Sequence, residues 1–247
     1  MRFKIYLEYR GTNYAGWQQQ KDAKTIQGTL IKCVTEVLQK SKGAGKLTEL
    51  QGSGRTDRGV HAIEQVAHLE CSTMLAPEIL KMKVNDLLPS DINVLEIEKA
   101  KQNFHARHSA TARQYLYVIS KRRTAFEKNL VWWIKDRLDV SAMNRAASEM
   151  KGMHDFISFA EKLPEDKSTL VDVKEISVTE TGEKIFIRIK ASHFLWKMVR
   201  RITGVLAEAG RGNISYDEIQ NFLKSYSKEP AFFTAPPSGL FLEKVYY

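Results

Sequence analysis

The sequence predicts an α+β fold made of two successive β-α-β-β-α-β units, the ferredoxin-like arrangement. Three observations carry the prediction. Strand-type alternation and helix-type apolar stripes occur in the same order twice along the chain. Cap and turn residues fall between them at the right places. The 247 residues, 43% of them hydrophobic, suffice for one large domain or two small ones.

In the first unit, residues 2–9 alternate, with Phe3, Ile5, Leu7 and Tyr9 on one face and Arg2, Lys4, Tyr6 and Glu8 on the other. Ile26, Leu30, Cys33, Val34, Val37 and Leu38 recur at helical spacing over 25–40, with Thr25 as the N-cap. A Gly43-Ala44-Gly45 loop, a short strand near 47–51, a glycine-rich loop and an alternating run over 60–71 follow. Pro77 and Glu78 open a helix that carries Ile79, Leu80, Val84, Leu87 and Leu88 on one side. Pro89 stops it, and Ile92, Val94 and Ile97 continue as a strand.

The second unit reads as a strand at 112–119, a short strand at 130–134 and a helix at 140–151 using Val140, Met143, Ala146, Ala147 and Met150. Strands near 170–180 and 184–191 meet at a Gly182 hairpin. A long helix is expected over 194–209, ending near Gly210 or Gly212. Ser215 and Glu218 form a capping box for a helix at 216–225, and a strand at 240–246 closes the chain. The expected halves are 1–100 and 101–247. With no Pro/Gly-rich linker between them, their sheets are expected to join side by side and leave a central cleft. RNA-recognition domains share this topology.

The net charge is +9 and the pI about 9.4. Such a balance favours phosphate-rich partners, because each neutralised phosphate releases counterions. Basic residues cluster at Lys121-Arg122-Arg123, Lys197, Arg200-Arg201 and Arg211. No run of eighteen apolar residues suggests a membrane span, and the N-terminus lacks the apolar stretch of a signal peptide. Cys33 and Cys71 are too few for a disulfide scaffold or a zinc site, so a reducing cytoplasm is the expected location.

The densest chemistry lies in Gly52-Ser53-Gly54-Arg55-Thr56-Asp57-Arg58-Gly59-Val60-His61-Ala62. Its glycines do not match the dinucleotide fingerprint, and Val60 stands where a P-loop needs lysine. An Asx-turn explains a lone loop aspartate, with Asp57 bonding its own backbone. It does not call for two flanking arginines. Arginines favour the charged form of a carboxylate and grip phosphate, which points to a nucleophile acting on nucleic acid. Arg55, two residues before Asp57, shares its side of an extended segment.

This loop resembles the catalytic motif of the TruA-type tRNA pseudouridine synthases. The resemblance continues in order through Tyr9–Gln20, Ile26-Gln27-Gly28, Asn85–Ile92, Phe104-His105-Ala106-Arg107 and Ser109-Ala110. It goes on through Arg113–Tyr117, His154-Asp155-Phe156, Met198-Val199-Arg200 and Gly239-Leu240. It implies a pseudouridine synthase fold with an RNA-binding cleft. It also implies an isomerase that converts uridine to pseudouridine in the anticodon stem-loop of tRNA, at positions 38, 39 and 40. No cofactor or metal is implied, and the enzyme is expected to act as a homodimer. Asp57 takes the place of the catalytic aspartate. Three first steps remain open for it: attack on ribose C1′, proton abstraction from C2′ giving a glycal, and addition at uracil C6.

By the same resemblance Arg55 holds the flipped-out nucleotide or its phosphate, and Tyr115 stacks on the target uracil. Leu240 is an apolar wall beside the base, and Arg200 is expected near the aspartate. A helical wheel puts Arg200 about 160° from the apolar stripe of its helix, which equally suits a solvated side chain. Tyr117 suits plain packing. Trp17 and the glutamines after it read as a polar, flexible segment that helps grip the stem-loop. Arg58 stands where the family usually has a small residue and is either a phosphate contact or a bystander. Arg10 and Asp172 also depart from the family pattern. His105 and His108 have no third ligand nearby and read as RNA contacts or surface. Two other classes compete: a catalytically silent RNA-binding protein and an N-glycoside hydrolase using Asp57.

Overall fold

A computed structural model of the chain describes residues 1–41, 45–162 and 168–247. Gly43 and Ala44 of the expected loop lie outside the described residues. The chain divides into two compact units, Met1–Thr111 with Leu242–Tyr247, and Ala112–Phe241.

The first unit runs β1 (Arg2–Tyr9), α1 (Ile26–Lys40), β2 (Lys46–Gly52), β3 (His61–Ser72), α2 (Pro77–Asn85) and β4 (Ile92–Lys99), the predicted ferredoxin-like order. β1 lies between β4 and β3, and β2 pairs with the far half of β3, all antiparallel. Phe3, Ile5 and Leu7 of β1 are fully buried, as are Ile26, Leu30, Val34 and Leu38 of α1 and Leu80 and Val84 of α2. The Thr25 hydroxyl caps α1 by accepting the Gly28 N–H at 3.2 Å. Two expectations for α2 need correction. Ile79 and Leu87 are exposed, and the helix ends at Asn85, four residues before Pro89. A nine-residue helix has one core stripe about two residues long per face, which Leu80 and Val84 fill.

The second unit runs β5 (Ala112–Ser120), β6 (Trp132–Trp133), α3 (Val140–Glu149), β7 (Gly152–Asp155), β8 (Leu170–Thr181) and β9 (Lys184–Ala191). Then come α4 (Met198–Arg211), α5 (Tyr216–Lys224) and α6 (Glu229–Phe232). Its strand order is β5-β9-β8-β7, antiparallel, with β6 parallel to β5. Gly182 makes the β8–β9 turn at φ 57°, and both halves of the Ser215/Glu218 capping box form. β7 and α6 were not expected. The long helix begins at Met198 rather than 194, because Lys197 takes a left-handed φ of 62° that α-helix cannot continue. It ends as expected, on Gly212 at φ 80°. The closing strand, β10 (Leu240–Tyr246), lies beside β3 in the first unit from Leu242 onward. Cys33 and Cys71 are both free and buried.

Candidate active site

Asp57 sits on the loop joining β2 to β3, and a buried polar network fixes that loop. Along β3, Gln65, Ala67 and Leu69 stand opposite Leu7, Ile5 and Phe3, so Gln65 is a polar side chain on the core face. It is fully buried. Its Oε1 accepts from the Ser53 hydroxyl at 2.7 Å, and its Nε2 donates to the Gly54 carbonyl at 3.1 Å and the Tyr9 hydroxyl at 3.4 Å. The Tyr9 and Thr56 hydroxyls are hydrogen-bonded at 2.8 Å. Four buried polar side chains thus tie the loop to β1 and β3. Satisfied networks of this kind rigidify what they hold.

A second brace comes from the segment after β1. The Trp17 N–H donates to the Thr56 carbonyl at 3.0 Å, and the Gly11 N–H to His61 Nδ1 at 3.0 Å. Gly16, at φ 105°, crosses so close that a Cβ there would come to 2.6 Å from the Thr56 carbonyl oxygen. Trp17 is almost fully buried against Gly52 and tilts on Tyr9, with ring centroids 6.0 Å apart. The expectation of a polar, flexible segment from Trp17 onward needs correction at Trp17, which is buried. Its indole is a wedge under the loop, and only Gln19 and Gln20 of the following glutamines are exposed.

Between the braces Arg55 is exposed, Thr56 buried and Asp57 half-buried. This alternation turns Arg55 and Asp57 away from Thr56, as the extended spacing predicts. The Asp57 carbonyl then accepts the Val60 N–H at 3.1 Å, with Gly59 at φ 79°. That is a type II turn, whose third position needs glycine and whose corner carries Arg58 into solvent.

The second unit assembles its three predicted residues around Tyr117. Tyr115, Tyr117 and Ile119 of β5 stand opposite Ile189, Ile187 and Ile185 of β9. Tyr117 is fully buried and its hydroxyl donates to the Pro236 carbonyl at 2.7 Å. Burial holds that phenol well above its ordinary range, against the opposing charge of Arg200. Gly239 lies directly on the Tyr117 ring, where a Cβ would come to 2.7 Å. Leu240, the next residue, is buried. Arg200 is half-buried, not solvated, and its Nε donates to the Ala235 carbonyl at 2.6 Å. Tyr115 is half-buried, and the edge-on ring of Phe194, 4.9 Å away, fixes its orientation. Arg201, its neighbour in the basic cluster, instead bonds the Ala160 carbonyl and Glu161 and is structural.

Sequence reasoning gave no site role to Gln65, Tyr9, Thr56, Phe194 or the 235–239 segment. One signal was available: Gln65 is a polar residue at an inward position of an alternating strand. His105 and His108 pack at a tilt, with ring centroids 4.3 Å apart, and His68 lies on the other side of His105 at 4.6 Å. Even so, no cluster of three or more metal-ligating side chains occurs among the described residues.

A pinned loop carboxylate flanked by exposed arginines is equipment for chemistry on a nucleic acid. Comparison with known proteins agrees. The tRNA pseudouridine synthase family matches residues 5–109 and 146–247. The tRNA pseudouridine synthase A of Thermoanaerobacter sp. (strain X514) is 39% identical over 245 residues, covering 98% of each chain. That of Ehrlichia chaffeensis is 38% identical over 251 residues, covering all of both. That of Acetivibrio thermocellus is 35% identical over 246 residues, covering 99% of this chain and 98% of its own. The chain belongs to the tRNA pseudouridine synthase family and is an isomerase that turns uridine into pseudouridine.

Proposed function

We propose that this protein isomerises uridine in the anticodon stem-loop of tRNA, at the three positions named above, with Asp57 as the nucleophile. The observation that carries the reading is the doubly braced loop, which presents one carboxylate at a fixed place beside Arg55. The reaction breaks the bond from uracil N1 to ribose C1′, forms a bond from C5 to C1′, releases the C5 proton and leaves N1 protonated. A carboxylate suits it as a nucleophile or as a base. Paired bases hide their glycosidic bonds, so the target must leave the stack. Arg55 holds the extruded nucleotide through its phosphate. Tyr115 offers its ring to the uracil, Leu240 an apolar wall, and Arg200 a fixed positive charge. The protein acts as a homodimer in the cytoplasm, a reading supported by the family resemblance and by its two free, buried cysteines.

The test is tRNA labelled with tritium at uridine C5, with released label and free base both measured. Label release that disappears in Asp57→Asn supports the reading. Binding without release would leave only an RNA-binding protein, and free uracil would indicate a hydrolase. Light scattering at micromolar protein reports the dimer, and a mass of one chain would refute it.

A further inference from the structure

Arg58 is the departure from the family pattern nearest the catalytic loop, and it lines a pocket. The pocket, about 470 Å³, is walled by Thr12, Asn13, Tyr14, Asp22, Lys24 and Arg58 among others. That volume falls within the range of small-molecule sites, about 300–1,000 Å³. Two cations face it. Lys24 Nζ lies 4.6 Å from the Tyr14 ring centroid, and Tyr14 is itself fixed by its hydroxyl's 2.6 Å bond to Asp91. Arg58 stands at the corner of the Asp57–Val60 turn. Neither cation has an ion-pair partner among the described residues. One exposed carboxylate, Asp22, also lines the pocket and leaves it net positive.

We propose that this pocket is a subsite for a backbone phosphate of the RNA. Arg58 and Lys24 supply the charge. The proposal rests on the reading of Asp57 as the catalytic group. Arg58 is its immediate neighbour, with Cα atoms about 3.8 Å apart. The proposal therefore places the gripped phosphate near the target nucleotide. An unpaired guanidinium with its planar fork is suited to phosphate oxygens.

The experiment measures binding of a synthetic anticodon stem-loop to Asp57→Asn between 50 and 200 mM salt, alone and combined with Arg58→Ala or Lys24→Ala. One lost phosphate contact lowers the slope of log affinity against log salt by about 0.7–0.9. The fourfold rise in salt should then cost about threefold less affinity in each double variant than in the parent. Arg58→Lys should restore the parent slope. A stem-loop with one neutral methylphosphonate linkage beside the target uridine should abolish the effect of Arg58→Ala. Unchanged slopes would overturn the proposal. So would an equal loss in Lys21→Ala, an exposed neighbour outside the pocket, because attraction would then be diffuse. Failure of the catalytic reading shows separately, as absence of tritium release by the unmodified protein.

Discussion

Gln65 should control the rate of the reaction without touching the RNA. Gln65→Met keeps the volume and removes both polar atoms. It deletes the bonds to Ser53, Gly54 and Tyr9, at 2.7, 3.1 and 3.4 Å. At roughly 1 kcal/mol net for each buried bond, the loss is about 3 kcal/mol, and more where a partner is stranded. A domain stable by about 5–15 kcal/mol survives this but melts earlier. The larger effect should fall on catalysis, because Gly54 and Ser53 are the shoulder from which Arg55 and Asp57 project. A misplacement of about 1 Å can cost on the order of 100-fold in rate. Single-turnover tritium release, with denaturant unfolding in parallel, should show kcat reduced by about that factor and KM nearly unchanged. Gln65→Glu retains the acceptor for Ser53 but sets an oxygen against the Gly54 carbonyl, so it should be slow as well. A Gln65→Met protein that loses stability yet keeps kcat within threefold would refute the reasoning and make Gln65 a packing residue.

Three further outcomes are expected. Gly16→Ala forces a side chain onto φ 105° and a Cβ to 2.6 Å from the Thr56 carbonyl; backbone strain alone costs about 1–3 kcal/mol, and single-turnover label release should fall at least 100-fold. Gly204→Ala would place a Cβ 1.5 Å from the Phe233 carbonyl oxygen, lifting the 233–235 segment and breaking the Arg200 to Ala235 bond; kcat should fall while far-ultraviolet circular dichroism keeps its helical signal. Burial, then the neighbouring His68 and His108, hold the His105 imidazole below its ordinary range. The unfolded chain therefore takes up that proton first on acidification, so the stability is intact above about pH 6.5 and is lost as pH falls through the folded-state value. His105→Asn keeps an acceptor for the Arg107 and His108 N–H groups, and its melting temperature should fall less between pH 7.5 and 5 than that of the parent.

The elements legible in the sequence are those whose local signals agree with their packing. β1 alternates because its Phe3, Ile5 and Leu7 face is the core, and α1 starts where Thr25 caps it. The alternating exposure of Arg55, Thr56 and Asp57 was legible because an extended segment puts residues two apart on one side. What escaped depends on contacts distant in sequence. β7 is four residues long and exists by pairing with β8. The last strand joins the first unit from Leu242 onward, a placement no local pattern encodes. Trp17 read as polar and mobile from its glutamine neighbours, yet Gly52, 35 positions away, leaves the flat space its indole fills.

Arg200 shows most clearly where the wheel argument breaks. The wheel sends the side opposite an apolar stripe to water, and on α4 that side carries Arg200, Gly204, Ala207 and Arg211. Gly204 and Ala207 are nevertheless buried. The missing side chain at 204 lets the Phe233 backbone lie directly on the helix, and Ala235 then closes over Arg200, donating its N–H to the Arg200 carbonyl at 3.1 Å. Glycine on the supposedly wet face of a helix weakens it by about 1 kcal/mol, so its presence there signals a second backbone rather than solvent. The same reasoning bears on the arginine. Its Nε donates to the Ala235 carbonyl at 2.6 Å, so the segment that lies on Gly204 also holds the half-buried guanidinium.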